Sequence, residues 1–247
     1  MRRARQLALA LEHRPSTAQD DFLVSPCNAD AVAWIDHWPN WPGPALVVCG
    51  PPGCGKSHLV AVWLNQTEGR GITGEALNTA NVPALISSVD EAARGKTVAV
   101  AVDNADCVAG DASGERALFH LYNLVQQHHG RLLLTAVEPP SRWGVRLPDL
   151  RSRMLAAPVA PVAPPDDELL AGMLIKLFAD RQLYPPVEVV TYLVRRMERS
   201  YDVARRMVTL ADRAALAGRR RITVSLIKEI MQPAPSSQTS PLVSGKI

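Results

Sequence analysis

Residues 50–57 read GPPGCGKS, a spacing of glycines ahead of a lysine and a serine that suits the binding of phosphate groups. Gly50, Gly53 and Gly55 permit tight backbone turns that point N–H groups at one place, and a helix following them adds its positive end. Lys56 supplies a cation for the β- and γ-phosphates of a nucleotide, and the Ser57 hydroxyl supplies a magnesium ligand. Pro51, Pro52 and Cys54 within the loop, and His58 just after it, belong to the same candidate site. Asp103 ends the apolar run VAVAV and is the natural second magnesium ligand, although a strand-end aspartate also serves as a turn cap. Thr135 closes RLLLT, where an adjacent strand would bring it toward a γ-phosphate; a buried strand threonine is also common without any such role. Asn104 stands where many nucleotide hydrolases carry a carboxylate. An amide orients water but does not take its proton, so general-base catalysis is expected to be poor.

These residues need strands and helices that deliver them to one edge. ALVVCG reads as a buried strand, KSHLVAVWLNQ as a helix, TVAVAVD as a strand, GERALFHLYNLVQQHH as a helix and RLLLTAV as a strand. That alternation predicts an α/β fold with a parallel sheet flanked by helices. A helix ahead of it, within SPCNADAVAWIDHW, is closed by Pro39, Pro42 and Pro44, and Trp34, Trp38 and Trp41 are expected to pack on the sheet. Strand signals stop after the proline-rich APVAPVAPP. Four helical stretches follow: DDELLAGMLIKLFADRQL with an aspartate cap, PVEVVTYLVRRME, SYDVARRMVTLADRAALAG ending in glycine, and VSLIKEIM. The expected organisation is a mobile arm over residues 1–21, a nucleotide-binding domain over 22–164, a small helical lid over 165–232 and a disordered Pro/Ser-rich tail over 233–247.

Of the 247 residues, 47% are hydrophobic and 21% charged with a net charge of +3, an ordinary globular composition that does not call for non-specific nucleic-acid binding. The four cysteines, Cys27, Cys49, Cys54 and Cys107, are scattered and lack CxxC pairs. That suits a reducing compartment. The opening MRRARQLALALEHRP breaks its apolar stretch at Glu12, too early for a cleavable signal, and no run reaches the length of a membrane span. A cytoplasmic protein without membrane contact is expected. His128 and His129 have no metal shell near them in sequence. Between Arg181 and Met231 basic residues outnumber acidic ones by eleven to five, which reads first as a solvated helix face.

The phosphate loop, the Asp-ended strand and the helical lid together resemble the AAA+ class of P-loop NTPases. DFLVSPCNADAVAWI resembles the segment entering the nucleotide domain of the bacterial replication initiator DnaA. DNADCVAGDASGERALFHLYN and LPDLRSRM resemble the Hda family, regulatory inactivators of DnaA, and the likeness runs from about Gln6 to Met231. The resemblance implies bound ADP or ATP with Mg2+, at most weak intrinsic ATPase activity, and a function as activator of ATP hydrolysis by DnaA, a negative regulation of replication initiation. It implies that QLALAL, through Gln6, Leu7, Leu9 and Leu11, docks on the β-subunit sliding clamp of DNA polymerase, as an extended arm filling an apolar cleft. Contact with DNA through the loaded clamp, and self-association, are compatible with it. It also implies that Arg153 is an arginine finger acting on ATP held by a neighbouring molecule.

Where the lid of DnaA carries a second sensor arginine this chain has Asp202, with Arg205 and Arg206 about one turn on. Arg205 either replaces that contact or belongs to a plain solvated helix. DnaA continues beyond its lid into a DNA-binding domain, whereas only the tail follows Met231 here, so sequence-specific origin binding is not expected. The competing readings are a free-standing ATPase of the helicase-loader type, which requires substantial turnover of its own, and a non-catalytic DnaA adaptor, which does not require Arg153.

Overall fold

The computed structural model of the chain describes residues 23–79 and 98–232. The arm with Gln6, Leu7, Leu9 and Leu11, and the tail over 233–247, lie outside the described residues. Among these residues the strands are β1 (Ala45–Cys49), β2 (Arg70–Thr73), β3 (Ala99–Asp103), β4 (Arg131–Ala136) and β5 (Val159–Pro161). They form one parallel sheet in the order β2-β3-β4-β1-β5. Around it lie helices α1 (Ala29–Asp36), α2 (Lys56–Thr67), α3 (Gly74–Thr79), α4 (Ala112–Gln127) and α5 (Pro148–Ala156).

The central strands are apolar at nearly every position because both sheet faces are covered, as parallel sheets require. Val47, Val100, Val102, Leu132 and Leu134 pack on one face with Leu118, Leu121 and Val125 of α4 and Leu150 and Met154 of α5. Leu46, Val48, Ala99, Ala101 and Leu133 pack on the other with Val32 and Ile35 of α1 and Leu59 and Trp63 of α2. Trp41 stacks on Trp63 at 5.7 Å and Trp38 meets the same ring edge-on at 6.5 Å, so these tryptophans are core, as their sequence context suggests.

Two strands were not legible in the residues. β2 (RGIT) is a short, mostly exposed edge, and β5 (VAP) lies in the stretch read as merely proline-rich. β5 nevertheless pairs with β1, with Pro161 at its last position on the outer edge, where a missing N–H costs least.

The C-terminal part consists of α6 (Asp167–Ala179), α7 (Val187–Arg196), α8 (Tyr201–Gly218) and α9 (Val224–Met231). Its own core includes Leu170, Leu174, Phe178, Val190, Leu193, Val208 and Ile227. Asp166, Ser200 and Thr223 cap α6, α8 and α9, each accepting a backbone N–H of the first turn. α8 ends at the glycine that the sequence indicates, and the left-handed position falls on the residue after it. Gly218 stays helical and Arg219 adopts φ 47° beyond it.

Glu115, in the first turn of α4, is a buried carboxylate, 2% exposed. It accepts N–H bonds from Gly110 at 2.8 Å, from Arg146 at 2.9 and 3.1 Å and from Leu147 at 2.7 Å. Burial alone would push its pKa up. The hydrogen bonds from Arg146, Gly110 and Leu147, with the nearby Arg146 charge, outweigh burial and hold it below the ordinary carboxyl value. A depressed native pKa adds stability that is fully present above the unfolded-state value near ~4.3 and disappears as pH falls through the native value. Glu115→Gln is therefore expected to lose about 1–3 kcal/mol at neutral pH, because one carboxylate oxygen becomes an NH2 donor and the buried N–H groups that it accepted lose their partner. Denaturant unfolding at neutral and at strongly acidic pH should find this deficit shrinking in acid.

Candidate functional site

The loop 50–57 leaves the C-terminal end of β1 and enters α2, whose first residue is Lys56. β1 lies beside β4, and β4 beside β3, so the ends of the three strands bring the loop, Thr135 and Asp103 to one edge. Ligands of open parallel sheets bind at this edge. Gly53 and Gly55 have φ values of +72° and +105°, conformations that disfavour any side chain.

Lys56 is buried at 7% exposure. Its ammonium group donates to the carbonyls of Gly50 at 2.7 Å and Pro51 at 3.0 Å, which fixes a cation inside the loop's curve. Cys54 lies beside it, with Sγ 3.9 Å from Nζ, and burial pushes this thiol's pKa up even though Lys56 opposes the shift. It is therefore a neutral packing group at physiological pH.

The Ser57 hydroxyl donates to Asp103 Oδ2 at 2.8 Å. The Thr135 hydroxyl donates to Asp103 Oδ1, and the Asn104 backbone N–H donates to Thr135 Oγ1 at 2.9 Å. Thus Ser57, Asp103, Thr135 and Asn104, drawn from three separate stretches of sequence, form one connected polar group. Asn104 occupies the left-handed region at φ 55°, ψ 48°, where asparagine is among the tolerated residues, and it borders the cleft as an exposed residue.

A cleft of about 480 Å³ runs over the loop and is bounded by Lys56, Ser57, Asn104, Tyr201, Asp202 and Arg205. Arg205 is therefore at the site, and so is Asp202. The helical part reaches the loop directly: the Tyr201 N–H donates to the Gly53 carbonyl at 2.8 Å, and the Tyr201 ring stacks on His58 at 5.7 Å. A second, more apolar cavity on the other side of the loop is lined by Leu23, Leu59, Leu169, Met173, Leu177 and Tyr201 among others. Sequence reasoning missed this cavity, since its walls are ordinary core residues that only the docking of α6 and α8 brings against the loop.

Arg153 lies elsewhere and lines neither cleft. Its guanidinium sits 4.8 Å from the ring centroids of both Phe119 and Tyr122, and Nη1 donates to Gln126 Oε1 at 3.2 Å. Among the described residues no cluster of His, Cys, Asp and Glu has the makings of a metal site, and no helix is long and apolar enough to cross a membrane.

With this geometry in place, comparison with known proteins identifies its type. The family model "Hda, lid domain" matches residues 167–231, which span α6 to α9. The fold matches domain III of the replication initiation protein DnaA from Thermotoga maritima with a TM-score of 0.69 at 20% identity, covering 86% of this chain and 95% of that one. The helical part is thus similar to the Hda lid, and the fold as a whole is that of DnaA domain III. AMPPCP-bound DnaA from Aquifex aeolicus matches at 17% identity and a TM-score of 0.65 over 80% of this chain. The RuvB Holliday junction branch migration motor from Thermotoga maritima matches at 13% identity and a TM-score of 0.60 over 76%. The chain spans 65% of that DnaA and 61% of that RuvB, less than two thirds of either. The sheet with its helical lid is thus the AAA+ architecture.

Proposed function

We propose that this chain is a clamp-associated negative regulator of replication initiation that promotes hydrolysis of ATP bound by a DnaA-type initiator, with Arg153 supplied in trans. The observation that carries the reading is the separation of Arg153 from the chain's own loop. A cation held on an outer aromatic face, lining neither cleft, is suited to another molecule's phosphates. The chain's own site is suited to holding ADP or ATP and not to rapid turnover. The loop and Lys56 cradle the phosphates, Arg205 approaches from the lid, and the apolar cavity takes the base. Ser57 and Asp103 offer adjacent hard oxygen ligands, which fit Mg2+, and they would hold the ion there to neutralise phosphate charge. Asn104 supplies no base, so bound nucleotide acts as a switch that sets how the lid sits on the sheet.

Recruitment is assigned to Gln6, Leu7, Leu9 and Leu11, which lie outside the described residues. Tethering two partners raises their effective concentration and can multiply avidity about 10²–10⁴-fold. The test is single-turnover hydrolysis of initiator-bound ATP with DNA-loaded clamp. Deleting residues 6–11 is expected to lower stimulation at limiting protein by about 10²-fold. A large excess of protein should recover it, and nucleotide affinity should stay unchanged. Full stimulation by the deletion variant removes the clamp from the proposal. No stimulation by the intact chain refutes the function itself.

A further inference from the structure

One face of α4 carries Glu115, Phe119, Tyr122 and Gln126, at successive spacings of four, three and four residues that keep them on a single helical stripe. α5 lies along this stripe. Its leading residues are fastened at the Glu115 end, where the Arg146 and Leu147 N–H groups reach the carboxylate. Leu147 is the N-cap of α5, and the carboxylate of α4 satisfies the backbone N–H of this N-cap residue from outside the helix. Two turns later the same helix presents Arg153 to Phe119, Tyr122 and Gln126.

Glu115 also accepts the Gly110 N–H. Gly110 closes the segment that begins at Asp103 and Asn104 and runs through the turn Ala105–Val108, which is held by the Cys107 N–H on the Asn104 carbonyl at 3.2 Å. A single buried carboxylate therefore joins the strand end of the nucleotide site to the start of the helix bearing Arg153. An exposed side chain would not fix such a junction. An acceptor saturated by backbone donors from two loops, and ionised, does.

We propose that Glu115 is the positioning residue for Arg153: it sets the register of α5 along α4, and so the place of the guanidinium, and ties that register to the end of β3. The inference rests on the trans-acting reading of Arg153 for its functional consequence, but its geometric content stands apart from it. Glu115 touches no reacting group. It acts through the backbone of residues 146 and 147 and through Gly110.

The experiment compares the full-length chain with Glu115→Gln, Glu115→Asp and Arg153→Ala. The first measurement is the Arg153 Nε–Hε NMR resonance, which ring currents of Phe119 and Tyr122 shift upfield in the wild type. Glu115→Gln is expected to move it toward the exposed-arginine position and Glu115→Asp to move it part of the way back. The second is the maximal rate of initiator-bound ATP hydrolysis at saturating protein. It should fall about tenfold or more in Glu115→Gln, by less in Glu115→Asp, and the half-saturating concentration and the chain's own nucleotide affinity should change little. An unmoved resonance overturns the proposal, and so does a resonance that moves without loss of maximal rate while Arg153→Ala abolishes stimulation. Loss of nucleotide affinity in parallel with the rate also overturns it, since that marks a general structural defect. Should Arg153→Ala leave stimulation intact, the trans-acting reading fails and the resonance alone decides whether Glu115 positions α5.

Discussion

Replacing Arg153 by alanine is expected to lower hydrolysis of initiator-bound ATP, in the presence of DNA-loaded clamp and this protein, by about 10³-fold or more, to the initiator's unassisted rate. A guanidinium acting in trans, as proposed for Arg153, is worth this much because its planar fork meets charge that develops on the transferred phosphoryl oxygens, and no solvent has to reorganise to do so. Lysine should rescue little, since a point charge does not reproduce the bidentate fork. The fold should survive. Arg153 is only half-buried, and its partners Phe119, Tyr122 and Gln126 give up a cation–π pair and one hydrogen bond, at a cost of about 0.5–1 kcal/mol. An internal control reports on the same side chain. Burial raises the Tyr122 pKa, and the Arg153 charge partly opposes it. Removing that cation should therefore raise the phenol further, visible in the ultraviolet titration of the variant against the wild type. A rate close to wild type in Arg153→Ala would leave the adaptor reading in place of the trans-acting one.

The place of the loop in the fold was legible because it is local. Eight consecutive residues determine where the backbone turns, and the strand before them and helix after them follow from apolar runs on either side. Asp103, Asn104 and Thr135 were legible for a related reason, each sitting at the end of a strand that a parallel sheet must bring to the same edge. β2 and β5 escaped because edge strands need no apolar face. Arg70 to Thr73 offers only Ile72 to the core, and Val159 to Pro161 hides between prolines.

Glu115 escaped for a deeper reason. A glutamate in the first turn of a helix ordinarily reads as a solvated residue placed for the helix dipole, and nothing within its own stretch of sequence reveals donors 31 and 32 residues away. The docking of α8 on the loop was hidden in the same way. Ser200 and Tyr201 read as a helix start, which they are, while their contacts with Gly53 and His58 exist only after the lid has closed over the sheet. Both of these belong to contacts between distant segments.

That docking yields the second large effect. A Cβ at Gly53 would overlap Ser200 Oγ and lie 2.8 Å from Ser200 Cβ, and the residue sits at φ +72°. Gly55 has an even larger φ of +105°, but a Cβ there meets nothing within 4 Å. The pair separates backbone strain from steric conflict. Gly55→Ala carries only the conformational penalty, about 1–2 kcal/mol, and should weaken nucleotide binding by about tenfold. Gly53→Ala carries that penalty and also drives the lid off the loop, so nucleotide affinity is expected to fall by about 10²-fold or more, as two such costs combine. Nucleotide-dependent thermal stabilisation should disappear with it. Adding Ser200→Gly removes both close atoms and leaves Ser200 Cα at 3.4 Å, an ordinary contact. The double variant is therefore expected to recover to the level of Gly55→Ala, less the loss of the Ser200 cap on Val203, about 0.5 kcal/mol. Isothermal titration with ADP on the four proteins measures all of this. Equal losses in Gly53→Ala and Gly55→Ala, or no recovery in the double variant, would show that Ser200 does not press on the loop in solution, and the lid would then lose its part in reading the bound nucleotide.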